Sequence, residues 1–330
     1  MSNVRAGSEA GSAPEVSLPR SAMRRIRKRW AGVAVGLLAA WPSVARADWF
    51  CSPTEQWRQP VSRLFSIHDD TYVITGIPSD PKTSNNQVKF QLSFKFDLVP
   101  NEGPCGFFFG YTQRSLWNAY AQSSPFEDSN YNPQFFFVFG LKDISALRTL
   151  PTTGKFTFLW ARFGYEHESN GQGGENSRGW DRIFVSARFV VLWGSFNPFY
   201  LTFQPKLWWP FPENTNPDIV DYVGYGELTT QIGWHHLLRN GRWEDITLGV
   251  LLRKGTVGSH GTVQLTLAYR PPWRFTSFSF YAQAFFGYDE TLLHYNERTS
   301  VFRFGIAFDD RFSWTTGEPG TVERPPPPPP

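Results

Sequence analysis

Beyond its first 47 positions, the 330-residue chain has no run of ~18 consecutive apolar residues, which excludes a membrane-crossing helix there. Cysteine is nearly absent. Cys51 and Cys105 are the only two, and spacing leaves open whether they pair, as an oxidising periplasm would permit. Charged residues make up only 18% of the chain. The run Gly171-Gln172-Gly173-Gly174 lacks a following helix and a phosphate-loop lysine, so it does not read as a nucleotide site. The pair His235-His236 has no Asp or Glu beside it in sequence and adjoins an expected turn, so it does not read as a metal site.

Aromatic residues, by contrast, are plentiful at 17%, with 41% hydrophobic residues overall. The mean hydropathy is nevertheless only −0.36. Alternating apolar and polar positions produce that combination, because the average cancels while the two strand faces differ. Positive charge is concentrated at the start. Arg24, Arg25, Arg27, Lys28 and Arg29 precede the apolar stretch Ala31 to Ala40, and Ala45-Arg46-Ala47 reads as a cleavage site. Residues 23–47 are therefore expected to be a signal peptide, and residues 1–22 a leader or a misassigned start with Met23 the better initiator. Subtracting the eight basic and two acidic residues of positions 1–47 from 32 and 29 leaves 24 against 27, a balance of −3. Nucleic-acid binding loses its compositional support.

Period-two segments separated by turn residues fill the rest of the chain. They predict strands over 64–76, 87–98, 106–117, 131–141, 156–168, 181–193, 199–208, 220–234, 243–253, 261–270, 275–287 and 300–314. The expected fold is all-β, a single twelve-stranded antiparallel transmembrane β-barrel over residues 48–315, followed by a disordered proline-rich tail at 316–330. Gly194 to Pro198 and Arg270 to Trp273 would be short periplasmic turns, and 118–130, 169–180, 209–219 and 288–299 external loops. The long connection 142–155 falls awkwardly on the periplasmic side.

The strongest local signal is Gly164-Tyr165-Glu166-His167-Glu168-Ser169-Asn170-Gly171. His167 and Ser169 share one strand face, expected to be the apolar one with Leu159, Ala161, Phe163 and Tyr165. On the next strand Asp181 shares its face with Ile183, Val185, Ala187, Phe189 and Val191. A hairpin would bring the three polar residues together on the lipid side, where ionisable groups are costly and so hint at function. An imidazole can activate a serine hydroxyl, and a third group can fix its tautomer.

Extended by Ser177-Arg178-Gly179-Trp180-Asp181-Arg182, this segment resembles the signature of the outer-membrane phospholipase A family. Ser123-Ser124-Pro125-Phe126 with Asn130 to Gln134, Tyr111-Thr112-Gln113, Asn216 to Ile219, and Gly287-Tyr288 with Tyr295-Asn296 are similar to further blocks of that family. The resemblance spans most of residues 50–315. It implies a calcium-dependent serine hydrolase that cleaves acyl esters of glycerophospholipids (phospholipase A1/A2) as a homodimer in a Gram-negative outer membrane, with its active site toward the outer leaflet. Ser169 would be the nucleophile, His167 the base and Asp181 the third residue, at a position where the family usually has asparagine. The Gly171 amide would help hold the oxyanion. Ser177, the Gln172 carbonyl and Ser123 of a partner subunit would hold Ca2+, with Glu175 or Glu213 at a less defined second acidic site. Gln113 would hydrogen-bond across the dimer. The altered third position keeps a non-catalytic, porin-like barrel open as an alternative, and a lipid A deacylase is another.

Overall fold

The computed structural model describes residues 65–78, 87–99, 106–140, 156–193, 199–212, 215–237, 243–271 and 278–308. The expected signal segment, both cysteines, Glu213, the proline tail and the whole connection 142–155 lie outside them. Thirteen strands run through the described residues: β1 (Phe65–Ser66), β2 (Thr71–Pro78), β3 (Gln87–Asp97), β4 (Gly106–Trp117), β5 (Phe126–Gly140), β6 (Phe156–Ser169), β7 (Gly179–Trp193), β8 (Phe199–Pro210), β9 (Gly226–Leu237), β10 (Trp243–Lys254), β11 (Gly261–Arg270), β12 (Ser279–Gly287) and β13 (Thr299–Phe308). From β2 to β13 each strand pairs antiparallel with the next, β13 returns to β2 to close the ring, and β1 pairs with β3.

The barrel is twelve-stranded despite the thirteenth element. β1 and β2 pair with the same edge of β3, through Phe65↔Phe96 and Tyr72↔Gln91 respectively. They are two pieces of one strand interrupted at residues 67–70, where the expected strand 64–76 was continuous. The interruption turns His68 inward, stacked on Phe136 at 5.0 Å with Nε2 3.1 Å from Gln134 Oε1.

Apolar side chains cover the outside. Phe135, Phe137, Phe163, Ile183, Val185, Leu207, Leu248, Leu265, Phe302 and Phe304 are all exposed. An apolar surface on so many strands is a belt for hydrocarbon, not for water. Ring pairs such as Phe107–Phe137 (tilted, 4.5 Å) and Phe137–Phe163 (stacked, 5.3 Å) tie β4, β5 and β6 together on that face; such cross-strand pairs contribute roughly 0.2–1 kcal/mol each.

Inside, the polar residues form ion pairs. Glu166 binds both Arg182 and Lys206, and Glu168 binds Arg114 and Arg182. Lys89 and Arg303 share Glu290, and Arg253 joins Glu227 to Asp289. Above them Phe108, Phe136, Trp180, Phe184, Trp208, Ile219, Val223, Leu292 and Tyr295 make one buried cluster.

Three expectations are corrected. β5 begins at Phe126, so the loop expected at 118–130 is only 118–125. Glu127 to Asn130 look like loop in sequence because they are polar, yet Asp128 and Asn130 face the barrel mouth and accept the Leu293 and Leu292 amides at 2.9 and 3.0 Å. The strand expected at 220–234 starts at Gly226, and a short helix α1 (Ile219–Val223) precedes it. Gly224 ends that helix at φ 70, where a Cβ would lie 2.0 Å from the Lys254 carbonyl oxygen. Leu159 is buried rather than lipid-facing, because a bulge between Phe158 and Trp160 inserts it into a cluster with Val190 and Tyr200.

Candidate active site

β6 and β7 share the register that sets the site. His167 lies directly opposite Asp181, and Ser169 opposite Gly179. Their neighbours Phe163, Tyr165, Ile183 and Val185 are exposed, so this is the apolar outer face anticipated from strand parity. His167 Nδ1 lies 2.8 Å from Asp181 Oδ1. A carboxylate only accepts, so Nδ1 carries the proton and Nε2 remains to accept one. Both side chains are about a third exposed, at 38% and 31%. The Asn132 amide donates to the His167 carbonyl at 2.8 Å, which fixes the strand under the imidazole.

Ser169 ends β6. A Cβ on Gly179, across the pair, would come within 3.3 Å of the Ser169 Cβ, so the missing side chain keeps space beside Ser169. Immediately beyond, Asn170 is buried and organises the turn. Its amide nitrogen donates to the Asn176 carbonyl at 2.9 Å, and its Oδ1 accepts from the Arg178 and Gln172 amides at 3.0 and 3.3 Å. Gly171 stands at φ 66, a left-handed conformation that favours glycine. Among the described residues nothing accepts a hydrogen bond from its amide. A helical turn at Gly174–Asn176 then leads to Ser177, whose amide donates to the Gly174 carbonyl at 3.1 Å.

The expected metal ligands lie at the same end of the barrel as the site. Gln172 and Ser177 are half-buried in the 170–178 loop, and Gln172 Nε2 reaches Asp128 Oδ1 at 3.4 Å. Ser123 is exposed on the 118–125 loop at φ 63. Among the described residues no group of three or more His, Cys, Asp or Glu gathers into a metal site. The sequence suggested no acid beside His235-His236, but the register places Asp245 and Glu244 opposite them. Gln113 is held by its own strand: Tyr111 Oη donates to Oε1, and Nε2 donates to Ser115 Oγ, both at 3.1 Å.

Sequence reasoning missed Tyr165, Asn132 and the structural part of Asn170. Tyr165 read only as an apolar-face residue, but its hydroxyl donates to Asp181 Oδ1. The signal was its parity with His167 and Ser169.

The family model for phospholipase A1 matches residues 60–308. A Neisseria meningitidis relative is 32% identical over 234 residues, 68% of this chain, and the chain spans only 55% of that protein's length. Phospholipase A1 of Escherichia coli K12 is 31% identical over 235 residues, 69% of this chain and 71% of its own. The solved outer membrane phospholipase A of Escherichia coli superposes with a TM-score of 0.58 at 26% identity, over 75% of this chain and 99% of that one. The Salmonella typhi outer membrane phospholipase dimer with bound calcium gives the same TM-score of 0.58 at 24% identity, over 78% and 95% of the two chains. A barrel closed in this order, with a serine and a histidine–aspartate pair on its apolar outside, thus comes with a family match over its whole described length, and the chain belongs to the phospholipase A1 family.

Proposed function

We propose that this protein is an outer-membrane serine hydrolase that cleaves acyl esters of glycerophospholipids, with phospholipase A1 and A2 activity, as a calcium-dependent homodimer. The observation that carries the reading is the 2.8 Å contact between His167 Nδ1 and Asp181 Oδ1 on the lipid-facing side, two residues from Ser169. A lipid ester reaches such a face by lateral diffusion, without leaving the bilayer.

In this reading His167 Nε2 takes the Ser169 proton as the hydroxyl attacks the ester carbonyl. Asp181 holds the ring and balances the imidazolium. His167 then returns the proton to the leaving lysolipid alkoxide, and a water repeats the sequence to free the fatty acid and Ser169. The Gly171 amide donates to the developing oxyanion. Calcium fits the oxygen donors of the Ser177 hydroxyl, the Gln172 carbonyl and a partner subunit's serine hydroxyl equivalent to Ser123. When bound it would supply positive charge beside the oxyanion. The solved relative that is a dimer with bound calcium supports this part of the reading.

The porin alternative fits the interior poorly. A water-filled channel would wet its lining, yet Glu166, Lys89, Gln283 and Arg303 are 0–3% exposed. A lipid A deacylase shares the chemistry and differs in substrate. The direct test is fatty-acid release by purified barrel in phospholipid micelles. Release that needs calcium, stops with EDTA and is lost in Ser169→Ala supports the reading, whereas an active Ser169→Ala protein sinks it. Mass spectrometry of products from phospholipid and lipid A separates the two enzymes.

A further inference from the structure

Asp181 presents a carboxylate on an apolar face, the one that carries exposed Ile183 and Val185 further along its own strand and Tyr165 and Phe163 on the paired strand β6. A charge there needs hydrogen-bond donors, because hydrocarbon offers none. Among the described residues two side chains supply them, and both address the same oxygen. His167 Nδ1 donates to Oδ1 from directly across the strand pair, and Tyr165 Oη donates to Oδ1 from the diagonal position two residues earlier. The Tyr165 ring itself packs outward at 6.2 Å from Phe211, whose backbone amide donates to the Asp181 carbonyl at 2.8 Å.

We propose that Tyr165 is a positioning residue of this site, acting through Asp181. The inference rests on the proposed roles of Ser169, His167 and Asp181. One donor leaves a carboxylate free to swing about χ2, so that Oδ1 and Oδ2 exchange. A second donor, from a different point on the neighbouring strand, fixes the oxygen that meets His167. The phenol also shares the charge on that oxygen, so the imidazole–carboxylate pair survives at a surface without water. Tyrosine suits the place because its ring satisfies the apolar face while its hydroxyl reaches the one polar neighbour. A phenylalanine would keep the ring contact with Phe211 and lose only the bond to Asp181. The hydroxyl's role is therefore separable from packing.

The test compares wild type, Tyr165→Phe, Asp181→Ala, the double variant and Ser169→Ala in micelles. Turnover is read for each, with the fluorophosphonate labelling rate for the slowest and the thermal unfolding midpoint as a fold control. Tyr165→Phe should keep the midpoint and KM while kcat falls about tenfold, the scale of one hydrogen bond to a charged group. In the Asp181→Ala background the same change should cost less than twofold, because the hydroxyl has nothing left to hold. Unchanged kcat in Tyr165→Phe overturns the proposal, as does an undiminished loss in the Asp181→Ala background. An active Ser169→Ala protein instead overturns the underlying reading of the site.

Discussion

His167 and Asp181 face each other across β6 and β7 with Nδ1 and Oδ1 2.8 Å apart, on the side of the barrel that carries Ile183 and Val185. An ion-pairing couple placed outside a barrel whose interior already holds at least eight ion-paired residues is not serving the fold. The interior has its own acids and bases, while the exterior pair is joined among the described side chains by Tyr165, with Ser169 two positions beyond His167 on the same face.

Asp181→Ala is expected to lower kcat by roughly 10²–10⁴-fold with little change in KM, the range over which removal of the orienting acid acts in serine hydrolases. Asp181→Asn should retain more activity than Asp181→Ala, because an amide oxygen still accepts from Nδ1. Equal losses in the two variants, measured with one micellar substrate, would show that the residue does not orient His167.

The Gly171 backbone gives a second prediction. Alanine at φ 66 costs about 1 kcal/mol or more of backbone strain, and its Cβ would meet the Tyr131 ring at 3.1 Å. Gly171→Ala should therefore cut kcat roughly ten- to a hundredfold, the amide being displaced from the oxyanion. The barrel's thermal midpoint should stay within a few degrees. A wild-type kcat would remove Gly171 from the reaction.

Glu166 is fully buried between Arg182 and Lys206, and Arg182 stacks 3.8 Å from the Trp180 ring centroid. Glu166→Gln takes the carboxylate from Lys206 and leaves Arg182 with Glu168 alone; breaking a buried pair of this kind typically costs about 3–5 kcal/mol. Urea unfolding in detergent should show this loss. Any residual folded fraction should keep a wild-type KM, because Glu166 faces away from the substrate side.

Loop 288–298 sets a pH dependence. Burial, reinforced by the nearby Glu168 carboxylate, pushes Asp289 up to about 6 from 3.8, although the Arg253 guanidinium 2.5 Å away opposes the shift. The folded state therefore holds this proton more tightly than the unfolded chain does. The stabilisation it brings is complete below about pH 4 and lost as pH rises through 6. Asp289→Asn should flatten that part of the profile of thermal midpoint against pH between 4 and 7. An unchanged slope contradicts the assignment.

Much of this architecture was legible in the residues. Parity along β7 put Asp181, Ile183 and Val185 on one face because no bulge interrupts that strand. Along β6 the same reasoning worked for Tyr165 to Ser169 and failed at Leu159, since an inserted residue reverses parity and leaves no local mark. β5 was read too short for a different reason. A barrel mouth is lined by residues such as Asp128 and Asn130 that look like loop but satisfy the amides of a segment more than 160 positions away. The gap between β1 and β2 was equally hidden, because it depends on the pairing with β3 and not on composition. Of the candidate site, strand parity and the family resemblance together put Ser169, His167 and Asp181 forward, whereas the hydroxyl of Tyr165 gained its meaning only once Asp181 lay beside it.

The most direct test of the central claim is to treat the purified barrel with a fluorophosphonate in calcium and in EDTA and map the modified residue by peptide mass spectrometry. The account predicts a single adduct on Ser169 that forms with calcium, is suppressed by EDTA and disappears in His167→Ala. An adduct on another residue, or none at Ser169 in protein that still releases fatty acid, would contradict it.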